Sequence, residues 1–167
     1  KHHTEKALEK YELNIDGAKA TVEISKENME IVYHLDIPEV SPATKTLLNE
    51  IRNELISITT ISMKELTDPT LFNSIKEKFM QDARKLFRDT LPDLDKDLET
   101  FLVGILIHEM LGLGKIEFLV GDANLEEIVI PSSKEPIRVF SKKHGWLITN
   151  IRIDKEEDII NYASIIA

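Results

Sequence analysis

Basic and aromatic side chains that could contact a phosphate or an acidic partner are concentrated near the C-terminal end of the sequence. Residues 134–152 contain five bases and one acid, whereas the whole chain of 167 residues has a formal charge of −9. Phe140, His144 and Trp146 alternate with these bases, in a stretch whose period-two pattern predicts a hairpin over 137–148. Cationic and aromatic groups together can meet a nucleotide, a phosphate or an acidic partner, and the alternative is a solvated turn. The bases are Lys134, Arg138, Lys142, Lys143 and Arg152.

A glycine-rich stretch at residues 112–115 suggests a phosphate-binding loop but lacks its essential positions. A Walker A loop needs Gly, four residues and then Gly-Lys-Ser/Thr, because its backbone amides hold phosphate and its hydroxyl binds magnesium. Glu109 stands at the first Gly position, and Ile116 stands where the hydroxyl belongs. The two glycines therefore predict the C-terminal cap of a helix and a corner.

Other patterns typical of metal or catalytic sites are also incomplete. Asp93, Asp95 and Asp97 have the spacing of a calcium loop, but Leu98 replaces its required glycine. His108 has no second histidine four residues later, so a zinc helix is not predicted. We therefore predict no catalytic residue, no metal site and no cofactor in this chain. A Ser/His/Asp triad assembled only in three dimensions stays open.

Composition places the chain among folded proteins that do not bind nucleic acid. A hydrophobic content of 42% is too high for a disordered segment, and the acidic balance disfavours binding to a phosphate backbone. The absence of cysteine excludes disulfides and thiolate metal ligands. His2-His3 could be native or the remnant of a purification tag.

The first forty residues predict a three-stranded β-meander. Apolar and polar residues alternate over 11–15, 20–24 and 31–37, and Asp16-Gly17 is typical of a tight hairpin turn. Three strands are marginally stable alone, so their apolar face needs a cover.

Helical periodicity follows the meander. Ser41-Pro42 and Asp68-Pro69 are helix-start signals, and a third helix is predicted from about Leu94 to Leu111. The period returns to two after Gly114, predicting short strands at 127–130, 137–140 and 146–148, and then a helix that begins at Asp154.

These patterns together predict an α+β fold in two domains. Residues 1–111 would hold the meander and the helical cluster, and residues 112–167 would begin a separate small sheet layer. The last helix has no stop signal, so we expect the chain to be a fragment of a longer protein.

A family resemblance rests on two stretches. The first, Gly112-Leu-Gly-Lys-Ile-Glu-Phe-Leu-Val-Gly-Asp-Ala-Asn-Leu-Glu-Glu-Ile128, resembles a signature of type II/IV secretion ATPases. The second, Pro136-Ile-Arg-Val-Phe-Ser-Lys-Lys-His-Gly-Trp-Leu-Ile-Thr-Asn-Ile151, is similar to the archaeal branch, which includes archaellum motor ATPases and archaeal pilus or secretion ATPases. Ser141-Lys142 replaces the usual His-Arg pair of that hairpin, and His144 replaces its Tyr. Lysine keeps the charge there but loses the bidentate fork of arginine.

The resemblance implies a non-catalytic N-terminal regulatory and assembly domain with a PAS-like sheet. In that family a C-terminal RecA-like domain binds ATP and Mg, the full-length protein is a homo-hexamer, and the motor docks on a membrane platform protein. The implied location is the cytoplasm, at the inner face of the membrane. The residues expected to face the nucleotide-bearing domain or a domain interface are Arg138, Lys142, Lys143 and Arg152.

Two functions are therefore open from sequence. The first is the motor domain just described, which would move against its ATPase domain. The second is a stand-alone α+β sensor or adaptor module. In the motor domain we expect Phe140 and Trp146 to hold the hairpin from its apolar side.

Overall fold

The computed structural model describes residues 6–112, 114–131 and 134–153, and it divides them into two compact units. The sheet unit contains residues up to 15, 19–38 and those from 115 onward. The helical unit contains residues 16–18 and 39–114. The α+β class predicted from sequence is confirmed.

The predicted meander forms three strands, β1 (Lys6–Ile15), β2 (Ala18–Glu27) and β3 (Glu30–Asp36). Asp16 and Gly17 have φ values of 57° and 90°, so the turn between β1 and β2 is left-handed at both positions as its sequence predicts.

Three further strands complete the sheet, β4 (Leu125–Val129), β5 (Pro136–Ser141) and β6 (Gly145–Arg152). All six strands form one sheet in the order β1-β2-β3-β6-β5-β4. β3 pairs with β6 in parallel, through Val32 opposite Ile148 and Tyr33 opposite Thr149, while β5 is antiparallel to both β4 and β6.

This sheet corrects the division of the chain into 1–111 and 112–167. The meander and the C-terminal strands belong to one unit, and the helical segment is inserted between them. The change near Gly114 is a real boundary, because the helical unit ends there. Periodicity marks where an element type changes, but it carries no information on which distant strands pair.

The helical unit contains α1 (Pro42–Ile58), α2 (Met63–Thr67), a 3₁₀ turn (Pro69–Leu71), α3 (Phe72–Thr90) and α4 (Lys96–Leu111). The predicted start signals are confirmed, since Ser41 caps α1 and Asp68 caps the 3₁₀ turn that leads into α3. The side chains of α1, α3 and α4 that form its core are buried together. They are Leu48, Ile51, Leu55, Ile75, Phe79, Met80, Ala83, Phe87, Leu102, Val103, Leu106 and Ile107.

Gly104 in α4 lies against the turn at residues 16–18, which belongs to the same unit. A Cβ atom at Gly104 would lie 2.8 Å from the Ala18 amide nitrogen and 2.9 Å from the Asp16 carbonyl oxygen. A side chain larger than hydrogen therefore has no room at this contact.

Two short helices were not predicted, α2 and α5 (Ile116–Val120). α5 lies between the glycine corner and β4, in the sheet unit, and it buries Ile116, Phe118 and Leu119. The helix predicted from Asp154 lies outside the described residues. Within the described ranges, no helix combines the length and the apolarity needed to cross a membrane.

Candidate functional site

The four bases predicted to form an interface lie at two separate places on the hairpin of β5 and β6. Arg138 is on β5 and Arg152 ends β6, whereas Lys142 and Lys143 are in the turn between the strands. All four are exposed. Arg138 and Lys142 are four residues apart, which is about 13 Å along a strand. The four bases therefore form two groups, with Arg138 and Arg152 on the strands and Lys142 and Lys143 in the turn.

The turn between β5 and β6 that contains Lys142 and Lys143, which we call the lysine turn, has a backbone held by hydrogen bonds. The buried Ser141 hydroxyl accepts from the amides of Lys143 and His144, each at 3.2 Å, and the Lys142 amide donates to the carbonyl of Asn124 at 3.1 Å. The turn thus has a fixed backbone that carries two exposed ammonium groups.

His144 attaches this turn to the edge strand β1. Its Nε2 atom lies 2.8 Å from a carboxylate oxygen of Glu9, and its side chain is only 12% exposed. The His144 side chain is therefore a contact inside the sheet unit.

The expected role of Phe140 and Trp146 on the apolar side of the hairpin is wrong. The two rings form a T-shaped pair, with centroids 5.2 Å apart and planes at 72°, and Trp146 is 51% exposed. The buried side of the hairpin is formed instead by Ile137, Val139 and Leu147. The sequence shows that side chains alternate between the two faces of the hairpin. It does not show which face packs against the core, because both faces carry apolar residues here.

Asp122, from the stretch that carries the family resemblance, is a buried centre of hydrogen bonds in the sheet unit. One carboxylate oxygen accepts from the hydroxyls of Tyr11 at 2.5 Å and Tyr33 at 2.7 Å. The other oxygen accepts from the Asn124 amide at 3.0 Å and from its side-chain nitrogen at 3.1 Å. Burial, then the hydrogen bond to Asp122 and its charge, raise the pKa of both tyrosines well above the ordinary value.

Thr149 and Asn150 lie in the second stretch on which the family resemblance rests, residues 136–151. They connect β6 to its two neighbouring strands. The Thr149 hydroxyl donates to the carbonyl of Ile137 on β5 at 2.7 Å. The Asn150 side chain accepts from the amide of Leu35 on β3 at 2.8 Å and donates to its carbonyl at 2.9 Å. The side-chain amide of Asn150 thus pairs with the backbone of Leu35 as a neighbouring strand would, and this role is structural.

Sequence reasoning missed a charged cluster in the helical unit. Asp16 in the β1–β2 turn accepts from Lys76 Nζ at 2.6 Å and lies 3.1 Å from Nε2 of the buried His108. Burial alone would raise the pKa of Asp16, but hydrogen bonds from Lys76 and His108 outweigh it and hold that pKa below its ordinary value. No sequence spacing could have found this cluster, because its members are up to 92 residues apart.

Among the described residues, no group of three or more His, Asp or Glu side chains has a geometry that could hold a metal ion. Asp93, Asp95 and Asp97 lie around the start of α4, where the Asp95 carboxylate accepts from the amides of Asp97 and Leu98. That arrangement is an ordinary N-terminal cap.

Comparison with known proteins gives two relatives without a described function. The chain is 28% identical over 159 residues to the uncharacterized protein MJ1288 of Methanocaldococcus jannaschii, an alignment covering 94% of this chain and 61% of that protein. It is 27% identical over 160 residues to the uncharacterized protein MJ0781 of the same organism, covering 92% of this chain and 20% of that protein. The chain thus spans only part of both relatives. No family model matches the sequence.

Proposed function

We propose that this chain is a non-catalytic regulatory and assembly domain of a hexameric motor ATPase of the secretion, pilus or archaellum type. It moves against the C-terminal ATPase domain of the same protein and docks on a membrane platform protein at the inner face of the membrane. ATP and Mg bind to the ATPase domain and not to this chain. The resemblance in residues 112–128 and 136–151 motivates the proposal.

The observation that carries the proposal is the lysine turn. Ser141 and Asn124 fix its backbone, while the side chains of Lys142 and Lys143 are exposed and make no ion pair with any described residue. A lysine on a fixed turn can meet a phosphate or carboxylate of a neighbouring domain as a point charge. A charge-assisted contact of this kind is worth roughly 1.5–3 kcal/mol, whereas a solvated surface charge is worth less than about 1 kcal/mol.

The proposal is tested in the full-length protein with the double substitution Lys142→Glu and Lys143→Glu. We expect lower ATP turnover, with the melting temperature of the 167-residue chain nearly unchanged. The matched control is Lys10→Glu with Lys26→Glu, which makes the same charge change at exposed positions of β1 and β2. Wild-type turnover in the first variant would refute the interface, and a large fall in melting temperature would mean that the lysines serve the fold.

A stand-alone sensor or adaptor is the second candidate, and the half-exposed Trp146 favours it. The two candidates differ in what the gene encodes after this segment. A continuation into a Walker A motif supports the motor domain, and its absence supports the adaptor.

A further inference from the structure

The outward face of the β4–β5–β6 sheet carries a group of apolar side chains that surrounds one arginine. Phe140 lies opposite Trp146, Arg138 lies opposite Ile148, and Val129 of β4 lies opposite Arg138. Trp146 is 51% exposed and Val129 is 39% exposed, while Arg138 is exposed. We call these five residues, Val129, Arg138, Phe140, Trp146 and Ile148, the outer aromatic face.

The polar groups of this face have no partner among the described residues. Neither the Arg138 guanidinium nor the Trp146 indole N–H makes a hydrogen bond or ion pair within those ranges. Glu127 lies opposite Phe140, diagonal to Arg138, a placement that leaves about 7–8 Å between their Cα atoms and forms no ion pair. The face therefore offers a fixed aromatic surface beside an uncompensated planar cation.

Charge determines which occupant suits the outer aromatic face. Residues 134–152 have a net charge of +4, from five bases and one acid, in a chain whose total is −9. Farther across the same side of the sheet are both acids and bases, namely Glu23 and Lys19 on β2, Asp36 on β3, Glu127 on β4 and Arg152 on β6. An extended polyanion such as RNA, or an anionic lipid surface, would meet the carboxylates as well as the bases. A protein segment with a single acid placed at Arg138 would meet the arginine without meeting the carboxylates.

We propose that the outer aromatic face binds an amphipathic protein segment that carries one acidic residue. An apolar side chain of that segment covers the Phe140–Trp146 pair, and an adjacent Asp or Glu accepts a bidentate hydrogen bond from Arg138. Arginine rather than lysine at this position fits the contact, because its planar fork matches a carboxylate. The inference uses a different surface from the lysine turn and does not depend on the motor ATPase proposal.

The test begins with selection of a random twelve-residue peptide library, displayed on phage, against the 167-residue chain. We expect the enriched peptides to carry Asp or Glu within one helical turn of Leu, Phe or Trp. Since Trp146 is the only tryptophan in the chain, its fluorescence reports binding of a selected peptide that lacks Trp. We expect its emission to shift to shorter wavelength, because the ring leaves water.

Substitutions assign the binding to this face. Arg138→Glu should weaken the selected peptide by about tenfold to hundredfold, the loss expected for one charge-assisted contact. Lys10→Glu makes the same reversal of charge on β1, outside both this face and the lysine turn, and should weaken it less than about fivefold. A peptide with its acid changed to Lys should regain affinity for the Arg138→Glu chain.

Several results would overturn the proposal. They are a selection that enriches no peptide, enriched peptides without an acid, and binding that Arg138→Glu and Trp146→Thr leave unchanged. A Trp146 response to oligouridylate or phosphatidylglycerol vesicles that exceeds the response to the peptide would also overturn it. None of these results bears on ATP turnover, so the two proposals fail separately.

Discussion

Asp122 in the sheet unit and Asp16 in the helical unit are both carboxylates that several side chains contact, but the chemistry of their partners differs. Asp122 is 2% exposed, and its donors among the described residues are neutral, namely two tyrosine hydroxyls and the groups of Asn124. Asp16 is 23% exposed and has an ammonium group and an imidazole as partners.

This difference separates the conditions under which the two regions weaken. Neutral donors keep Asp122 satisfied without a countercharge, and the tyrosines that supply them resist ionisation. The partners of Asp16 stabilise its charged form, so this contact depends on the carboxylate being ionised. The sheet unit should therefore be sensitive to base, and the helical unit to acid.

The largest expected effect follows from Asp122→Asn. An amide has one acceptor oxygen where the carboxylate has two, and it places a donor against groups that already donate. Leaving buried hydroxyls such as that of Tyr33 without an acceptor should lower the free energy of unfolding by roughly 3 kcal/mol. Urea denaturation followed by Trp146 fluorescence measures this change, and a loss below about 1 kcal/mol would contradict the assigned role.

The two tyrosines make the stability of the sheet unit depend on pH in the alkaline range. The pKa values of Tyr11 and Tyr33 are raised in the folded chain, so their stabilisation is complete below the unfolded value near 10. It is lost progressively as the pH rises above that value. We expect Tyr33→Phe to be less stable at neutral pH and to lose less stability between neutral and strongly alkaline pH. Parallel alkaline slopes for the variant and the wild type would refute the assignment.

Gly104→Ala tests the contact that holds the Asp16 turn against α4. Replacing Gly by Ala inside a helix normally gains about 1 kcal/mol, but the new Cβ would meet backbone atoms of Asp16 and Ala18 at 2.9 Å and 2.8 Å. Overpacking of this kind costs roughly 1–3 kcal/mol, so we expect net destabilisation. Circular dichroism at 222 nm during urea denaturation measures it.

Glu109→Ala is the matched control for Gly104→Ala. Glu109 is exposed on the same helix, so alanine there changes helix propensity without steric contact. It should leave stability within about 0.5 kcal/mol of the wild type. Equal effects of the two substitutions would show that the close approach at Gly104 has no energetic consequence.

The smallest expected effect is the acid sensitivity of Asp16. Because the folded pKa of Asp16 is below its ordinary value, the contact stabilises the chain above that value and is lost as the pH falls through the folded pKa. Asp16→Asn should remove this part of the pH dependence below pH 4, with at most about 1 kcal/mol at stake. Asn tolerates the φ of 57° at this position, so the turn is kept.

The check on Asp16→Asn is an acid titration of the urea midpoint for the variant and the wild type. Lys76→Met should reproduce part of the change, since it removes one of the groups that lower the pKa of Asp16. If the variant keeps the full wild-type slope below pH 4, the acid response comes from other carboxylates.

Local sequence signals predicted most elements of the fold. Ser41-Pro42, Asp68-Pro69 and Asp16-Gly17 act within one turn of the chain, so each was placed correctly from neighbouring residues alone. α2 and α5 were missed because five residues are too few to show a helical period. The candidate site was predicted only in part. The exposure of Lys142 and Lys143 fits the expected turn. The four bases do not form one surface, however, because the strand between Arg138 and Lys142 holds them about 13 Å apart.

By itself, the sequence determined the order of the strands and of the longer helices, the positions of their caps and turns, and the concentration of positive charge after residue 134. Only the tertiary structure decided that β3 pairs with β6, that Asp122 accepts from Tyr11 and Tyr33, and that Trp146 faces outward. The physical reason is separation along the chain. Caps and turns are fixed by residues a few positions apart, whereas Tyr11 and Asp122 are 111 residues apart and meet only because the sheet brings β1 beside α5.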